Sequence, residues 1–147
     1  MKRFQRATTV FGMAGLLLAL GLGVTAPSLA VAADFDGSRT LLCAPTDAVQ
    51  CEGAGECERA EVEDLNIPKF LTIDFKNKEM TGRLEGATSD ETTKIQNVEK
   101  LDNQTVLQGI QNGRGWSIVI DAASGDMSAA VAGDDISFVL FGVCQAD

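Results

Sequence analysis

Four cysteines, twenty-one carboxylates and no histidine bound the chemistry this 147-residue chain can carry. The cysteines are Cys43, Cys51, Cys57 and Cys144, and the closest two bracket the stretch "CEGAGEC". Two sulfurs at that spacing could clip a metal, cycle redox equivalents or form a staple. A zinc site needs close Cys or His pairs. Here four thiolates would be required, and only one pair is close. The C-x-x-C redox spacing and the C-x-x-C-H haem signature are both absent. An even number of cysteines behind an export leader reads as disulfides, with three pairings open. The preferred pairing is Cys51–Cys57 with Cys43–Cys144. Gly53 and Gly55 allow a tight loop between the first two. Cys43 and Cys144 fall in the first and last predicted main strands, so joining them closes about a hundred residues, worth roughly 4 to 5 kcal/mol of chain entropy.

The remaining chemistry is narrow. Without histidine there is no Ser-His-Asp or Cys-His arrangement, and without tyrosine no phenolic acid or base. "GRGWS" lacks the lysine and spacing of a phosphate-binding loop. Two carboxylates could still meet as a catalytic pair, but no spacing marks one, so the expectation is a non-enzyme without cofactor. "DFDGS" opens like a calcium loop at Asp34 and Asp36 and then lacks the later ligands. Asp121, Asp126, Asp134 and Asp135 occupy two turns that could lie near one another. Turn chemistry explains them equally, and no metal site is expected.

The elements that must position these residues begin after residue 33. Lys2, Arg3 and Arg6 precede an apolar run from Val10 to Val24, and Ala30-Val31-Ala32 or Val31-Ala32-Ala33 offers a small-x-small cleavage site. Residues 1–33 therefore read as a signal peptide, and 34–147 as a single barrel-like domain in the periplasm or secreted. The leader holds three of the twelve basic residues and no acid, leaving nine against twenty-one and a net charge of −12. That balance repels nucleic acid and anionic membranes and favours cationic partners.

Short alternating runs separated by turns fill the mature chain. "KFLTIDF" puts Leu71, Ile73 and Phe75 on one face. "EMTGRL", "KIQNVEKL" and "TVLQGI" follow, and Asn112-Gly113 then marks a hairpin into "WSIVID", where Trp116, Ile118 and Ile120 alternate with Ser117, Val119 and Asp121. "MSAAVA" and "ISFVLFGVC" complete an all-β antiparallel meander of about eight strands, curled into a small barrel. Its apolar interior would be built from Leu71, Ile73, Phe75, Trp116, Ile118, Ile120, Phe138 and Leu140. "CERAEVEDLNIP" reads as a short helix or turn stopped by Pro68, with Val62 and Leu65 capping a barrel end. The last strand is apolar on both faces, so Val139 and Phe141 need a cover: the short helix first, otherwise a second copy or another protein.

"LLCA", the spaced Cys51 and Cys57, "IPKFLTIDF", "LQG", "NGRGWSIVI", "SGDM" and "FVLFGVC" together resemble a family of small exported proteobacterial proteins. The resemblance spans nearly all of the mature chain and implies a shared fold, with no activity attached. In architecture alone the chain is similar to the periplasmic inhibitors of cationic lysozymes, whose inhibitory loops use a tyrosine that this chain lacks. The leading expectation is a non-catalytic exported barrel that binds a ligand or partner through its acidic rim or its interior. Beside it stand a purely structural envelope role and three rivals: an acidic binder or inhibitor of a basic envelope protein through Glu52, Glu56, Glu58, Glu61 and Glu63, a carrier of a small apolar ligand, or a low-activity hydrolase using two carboxylates. The sequence sets no oligomeric state.

Overall fold

The computed structural model describes residues 35–53, 56–134 and 136–147; the leader expected at 1–33 lies outside the described residues. Nine strands follow in order: β1 (Leu41–Glu52), β2 (Glu56–Ala60), β3 (Leu71–Asp74), β4 (Glu79–Gly82), β5 (Glu91–Lys100), β6 (Gln104–Gln111), β7 (Arg114–Asp121), β8 (Asp126–Ala132) and β9 (Ile136–Ala146). All pair antiparallel. β3 to β9 form a meander, and β1 closes it by pairing with β3 through Leu41–Cys43 and with β9 from Leu41↔Ala146 to Glu52↔Ile136. The result is a closed eight-stranded barrel of β1 and β3–β9, with β2 folded back on the far half of β1. Closure removes the free edges of an open sheet, leaving β2 as the outermost strand.

Two features of β1 follow from local chemistry. Proline cannot donate to a ladder and is tolerated at bulges, and the register of β1 on β9 shifts between Pro45 and Asp47. The shift lets Leu41, Cys43 and Ala48 all face the core despite their odd and even numbers. At the β6–β7 connection Asn112 and Gly113 both adopt positive φ, 50° and 77°. That is the backbone an Asn-Gly hairpin turn requires.

Both disulfides have the expected pairing, Cys43–Cys144 and Cys51–Cys57. Each joins residues directly opposite one another on neighbouring strands, β1 with β9 and β1 with β2. The core runs along the barrel axis, where Leu41, Ile73, Leu107 and Ile120 are fully buried.

Three expectations change. The segment expected as a short helix begins as strand β2, and its only helical part is one 3-10 turn, Val62–Leu65. Val62 and Leu65 are buried in the core, where four residues suffice to seat both against β1. That turn does not cover the last strand: Val139, Phe141 and Val143 are 38%, 48% and 52% exposed. The turns carrying Asp121 and Asp134 lie at opposite ends, because consecutive hairpin turns of a meander alternate ends.

Candidate functional site

The two ends of the barrel differ. At one end the chain before β1 packs inward: Phe35 lies against the core, and the buried Thr105 hydroxyl donates to its carbonyl at 3.3 Å. At the other end the interior is open, and a cavity of about 220 Å³ reaches into the barrel. Its inner wall is Met80, Trp116, Ile118, Met127, Ala129 and Leu140, with Leu71 alongside, while Asn66, Glu91, Gln111, Asn112 and Arg114 stand around the mouth.

Strand alternation puts Trp116 and Ile118 on the inner face of β7, and the glycine opposite makes room for the indole. Gly109 is the cross-strand partner of Trp116. A Cβ placed on it would lie 2.2 Å from Cζ2 and 2.6 Å from Cε2 of that ring, and 2.8 Å from the Lys94 carbonyl oxygen. The ring therefore lies flat over bare backbone. Trp116 is buried, and its Nε1–H has no hydrogen-bond partner among the described residues. An unpaired buried N–H costs about 1 to 3 kcal/mol, so this donor is an exception that calls for a partner.

The mouth is held by contacts between two loops. Gly82 lets Pro68 approach β4, since a Cβ there would meet the proline ring at 2.7 Å. Lys69 then reaches Glu85 in the β4–β5 loop at 3.1 Å and Glu63 at 3.8 Å. The Glu85 contact raises the Lys69 pKa, so this ammonium stays charged. Arg114 lies over the Phe138 ring, 6.0 Å from its centroid. At the same end the β1–β2 hairpin extends from the barrel. Cross-strand pairs Gln50↔Glu58 and Glu52↔Glu56 put Glu52, Glu56 and Glu58 on the face that carries the inward-pointing Ala48. Arg59 is on the other face and binds Asp47 at 2.7 Å.

The residues singled out from sequence are distributed as follows. Leu71, Trp116, Ile118 and Leu140 line the cavity; Ile73 and Ile120 are buried in the core away from it, and Phe138 is buried without lining it. Phe75 is half-buried at the opposite end. Glu61 precedes the 3-10 turn, and Glu63 within that turn faces Lys69, so neither joins the hairpin's acidic face. Val139 and Phe141 are exposed on the outer face of β9. Asp36, Asp74 and Asp121 each organise a turn: Asp36 accepts from Ser38, Asp74 from Asn77, and Asp121 from Ala123 and Ser124. Sequence reading did not single out Gly109, Met80, Met127 or the polar mouth. "LQG" beside an inward-facing tryptophan was the available signal for Gly109, because a strand glycine often marks a close approach.

Comparison with protein-family models, with curated proteins and with solved structures gives no match.

Proposed function

We propose that this protein binds a small, mainly apolar molecule inside the open end of its barrel, as a non-catalytic carrier or sensor. The observation that carries this reading is the apolar cavity walled by Trp116, whose buried N–H has no partner among the described residues. An engineered apolar cavity of about 150 Å³ holds benzene. Scaling to about 220 Å³ gives a guest of roughly nine or ten non-hydrogen atoms. The Nε1 atom is closed to water, so a guest with one hydrogen-bond acceptor would satisfy it through a small turn of the indole toward the cavity. Relieving an unpaired donor by about 1 to 3 kcal/mol corresponds to a preference of about 5- to 150-fold over the isostere without the acceptor. The acidic hairpin at the same end favours a neutral or cationic guest over a carboxylate. Two disulfides fit an exported protein, and no helix among the described residues is long and apolar enough to cross a membrane.

The test is a fluorescence titration on the sole tryptophan, using acetophenone and its acceptor-free analogue ethylbenzene. Saturable change in Trp116 emission with acetophenone, and at least about fivefold weaker response to ethylbenzene, is the expected result. Because the Trp116→Phe variant is silent in this assay, calorimetry should show its preference between the two lost. No saturable response to either compound would defeat the proposal.

A second reading rests on a separate observation. Glu52, Glu56 and Glu58 share one face of a protruding hairpin and form no ion pair among the described residues. Such a face suits a basic protein partner, in keeping with the inhibitor role. It requires association that weakens with salt and disappears when the three are changed to Gln.

A further inference from the structure

At the opposite end of the barrel several lysines gather at one recess. In a mature chain with nine bases against twenty-one acids, every lysine has an abundance of carboxylates to meet. Arg59, Lys69, Arg83 and Lys94 each form an ion pair with an acid. Lys76, Lys78 and Lys100 form none among the described residues, and all three line one groove of about 680 Å³.

The groove follows from strand lengths. β3 and β4 have four residues each, whereas β5 has ten. β4 pairs β5 only over Glu91–Lys94, so the rest of β5, to Lys100, runs on past the β3–β4 turn. On the other side stands the segment 37–40 that leads into β1. The short hairpin thus makes a notch between two taller walls. Lys76 and Lys78 rise from its base, Lys100 comes from one wall, and Phe75 and Val98 supply apolar surface.

The acids nearby are already engaged. Asp74 accepts from the Asn77 N–H at 2.9 Å and from its side-chain amide at 2.7 Å, both within the turn. Asp36 accepts from the Ser38 N–H at 2.8 Å. Arg39, at the groove's edge, donates to the Asp147 main-chain oxygen. The turn hydrogen bonds keep both carboxylates ionised. Asp74 lines the groove near Lys76 and Asp36 lies near Lys100, but neither forms an ion pair with a lysine among the described residues. Three ammonium groups therefore outnumber the one carboxylate lining the recess.

We propose that this notch is a binding site for a soluble, multiply charged oxyanion of the phosphate-ester type. Its volume falls within the range of small-molecule sites, and the Phe75 and Val98 surface would accept the organic part of such a molecule. An anionic lipid surface offers the same headgroup chemistry, but a membrane would meet the whole acidic chain. A small anion within the notch meets the lysines at short range, and salt screens the more distant acids. The site is separate from the tryptophan cavity and stands or falls independently of it.

The experiment is a titration of the oxidised protein with inorganic pyrophosphate at low ionic strength, followed by amide NMR shifts. Saturable shifts confined to 37–40, 75–78 and 98–100, with a dissociation constant of about 1 mM or tighter, are expected. The variant Lys76→Gln/Lys78→Asn/Lys100→Gln should weaken binding at least about tenfold. Asn is chosen at 78 because that residue has a φ of 53°. Changing Arg59, Arg83 and Lys94 to Gln alters net charge equally and should change affinity by less than about twofold. The proposal is overturned by an absence of saturable shifts, by equal weakening in both triple variants, or by shifts at the Trp116 end. Capture on anionic vesicles without a response to pyrophosphate would likewise overturn it in favour of a lipid.

Discussion

Replacing Gly109 with alanine tests how the tryptophan site is built. The new methyl would lie 2.2 Å from Trp116 Cζ2, against a favourable carbon–carbon separation of about 3.5 to 4.0 Å. The indole must therefore shift by more than about 1 Å, and the methyl cannot relieve the contact by moving away, since the Lys94 carbonyl oxygen stands 2.8 Å from it. Overpacking of this kind costs about 1 to 3 kcal/mol, and the gain of Ala over Gly in a strand returns about 0.5 to 1. Because the void gives the ring somewhere to go but the carbonyl does not yield, the net loss should be about 2 kcal/mol. In urea, with a slope near 1.5 kcal/mol per molar, the midpoint falls by about 1.3 M at unchanged slope. The displaced indole should also change its emission, and the binding of acetophenone expected of the cavity should be lost. Gly115 is the internal control. It precedes Trp116 on the same strand, and a Cβ there meets nothing within 4 Å. Gly115→Ala should be neutral or stabilising by up to about 1 kcal/mol. Equal effects at the two positions, or a loss under about 0.5 kcal/mol at Gly109, would refute the close approach as the reason for glycine.

Three further outcomes follow from the same coordinates. Changing Cys43 and Cys144 to Ala removes a cross-link over a sequence separation of 101 and should cost about 4 to 5 kcal/mol, against about 2 for Cys51 and Cys57 with a separation of 6; chemical unfolding of the two double variants compares them. Asp121 is held below the ordinary 3.8 by the N–H of Ser124, then that of Ala123, then the Ser124 hydroxyl. Its stabilisation is complete above that value and is lost as pH falls through the depressed one, so Asp121→Asn should flatten acid unfolding below pH 3.8 and leave the neutral-pH slope alone. Phe141 is exposed on the outer face of β9, so Phe141→Thr should change stability by less than about 0.5 kcal/mol while lowering any self-association seen by analytical ultracentrifugation.

The barrel was legible because its signals are local and consistent. Period-two alternation in "KFLTIDF" and "WSIVID" fixes which face turns inward, and Asn112-Gly113 fixes one hairpin. The strand-end positions of Cys43 and Cys144 imply that the first and last strands are neighbours, which is a statement of closure. What escaped the sequence depends on residues far apart in the chain. β2 hides in a segment whose Val62 and Leu65, three apart, suggest a helix. That spacing is realised only as the 3-10 turn Val62–Leu65, while Glu56–Ala60 before it is held as a strand by pairing with β1 and by the disulfide at its hairpin.

The sites escaped for the same reason. Leu71, Trp116, Ile118 and Leu140 were placed inside the barrel, but their side chains alone cannot show that space is left between them. A cavity is a deficit of volume summed over β3, β4, β7, β8 and β9, and no window of sequence contains that sum. The lysine notch is harder still. Lys76 and Lys78 look like ordinary turn residues, and Lys100 like the end of a charged strand. Only the length mismatch between the β3–β4 hairpin and β5 brings them to one recess. Net charge gives no sign of such a recess, because acids outnumber bases over the chain as a whole. Recognition depends instead on which charges are already paired. Across the barrel wall acids pair with Arg59, Lys69, Arg83 and Lys94. At the notch Asp36 and Asp74 accept their hydrogen bonds from turns, keep their charge and form no ion pair with a lysine among the described residues. A strongly acidic chain thus presents an acidic hairpin beside the tryptophan cavity at one end and a cationic recess at the other. It is this local grouping of charges, rather than the net charge, on which the proposed anion site rests.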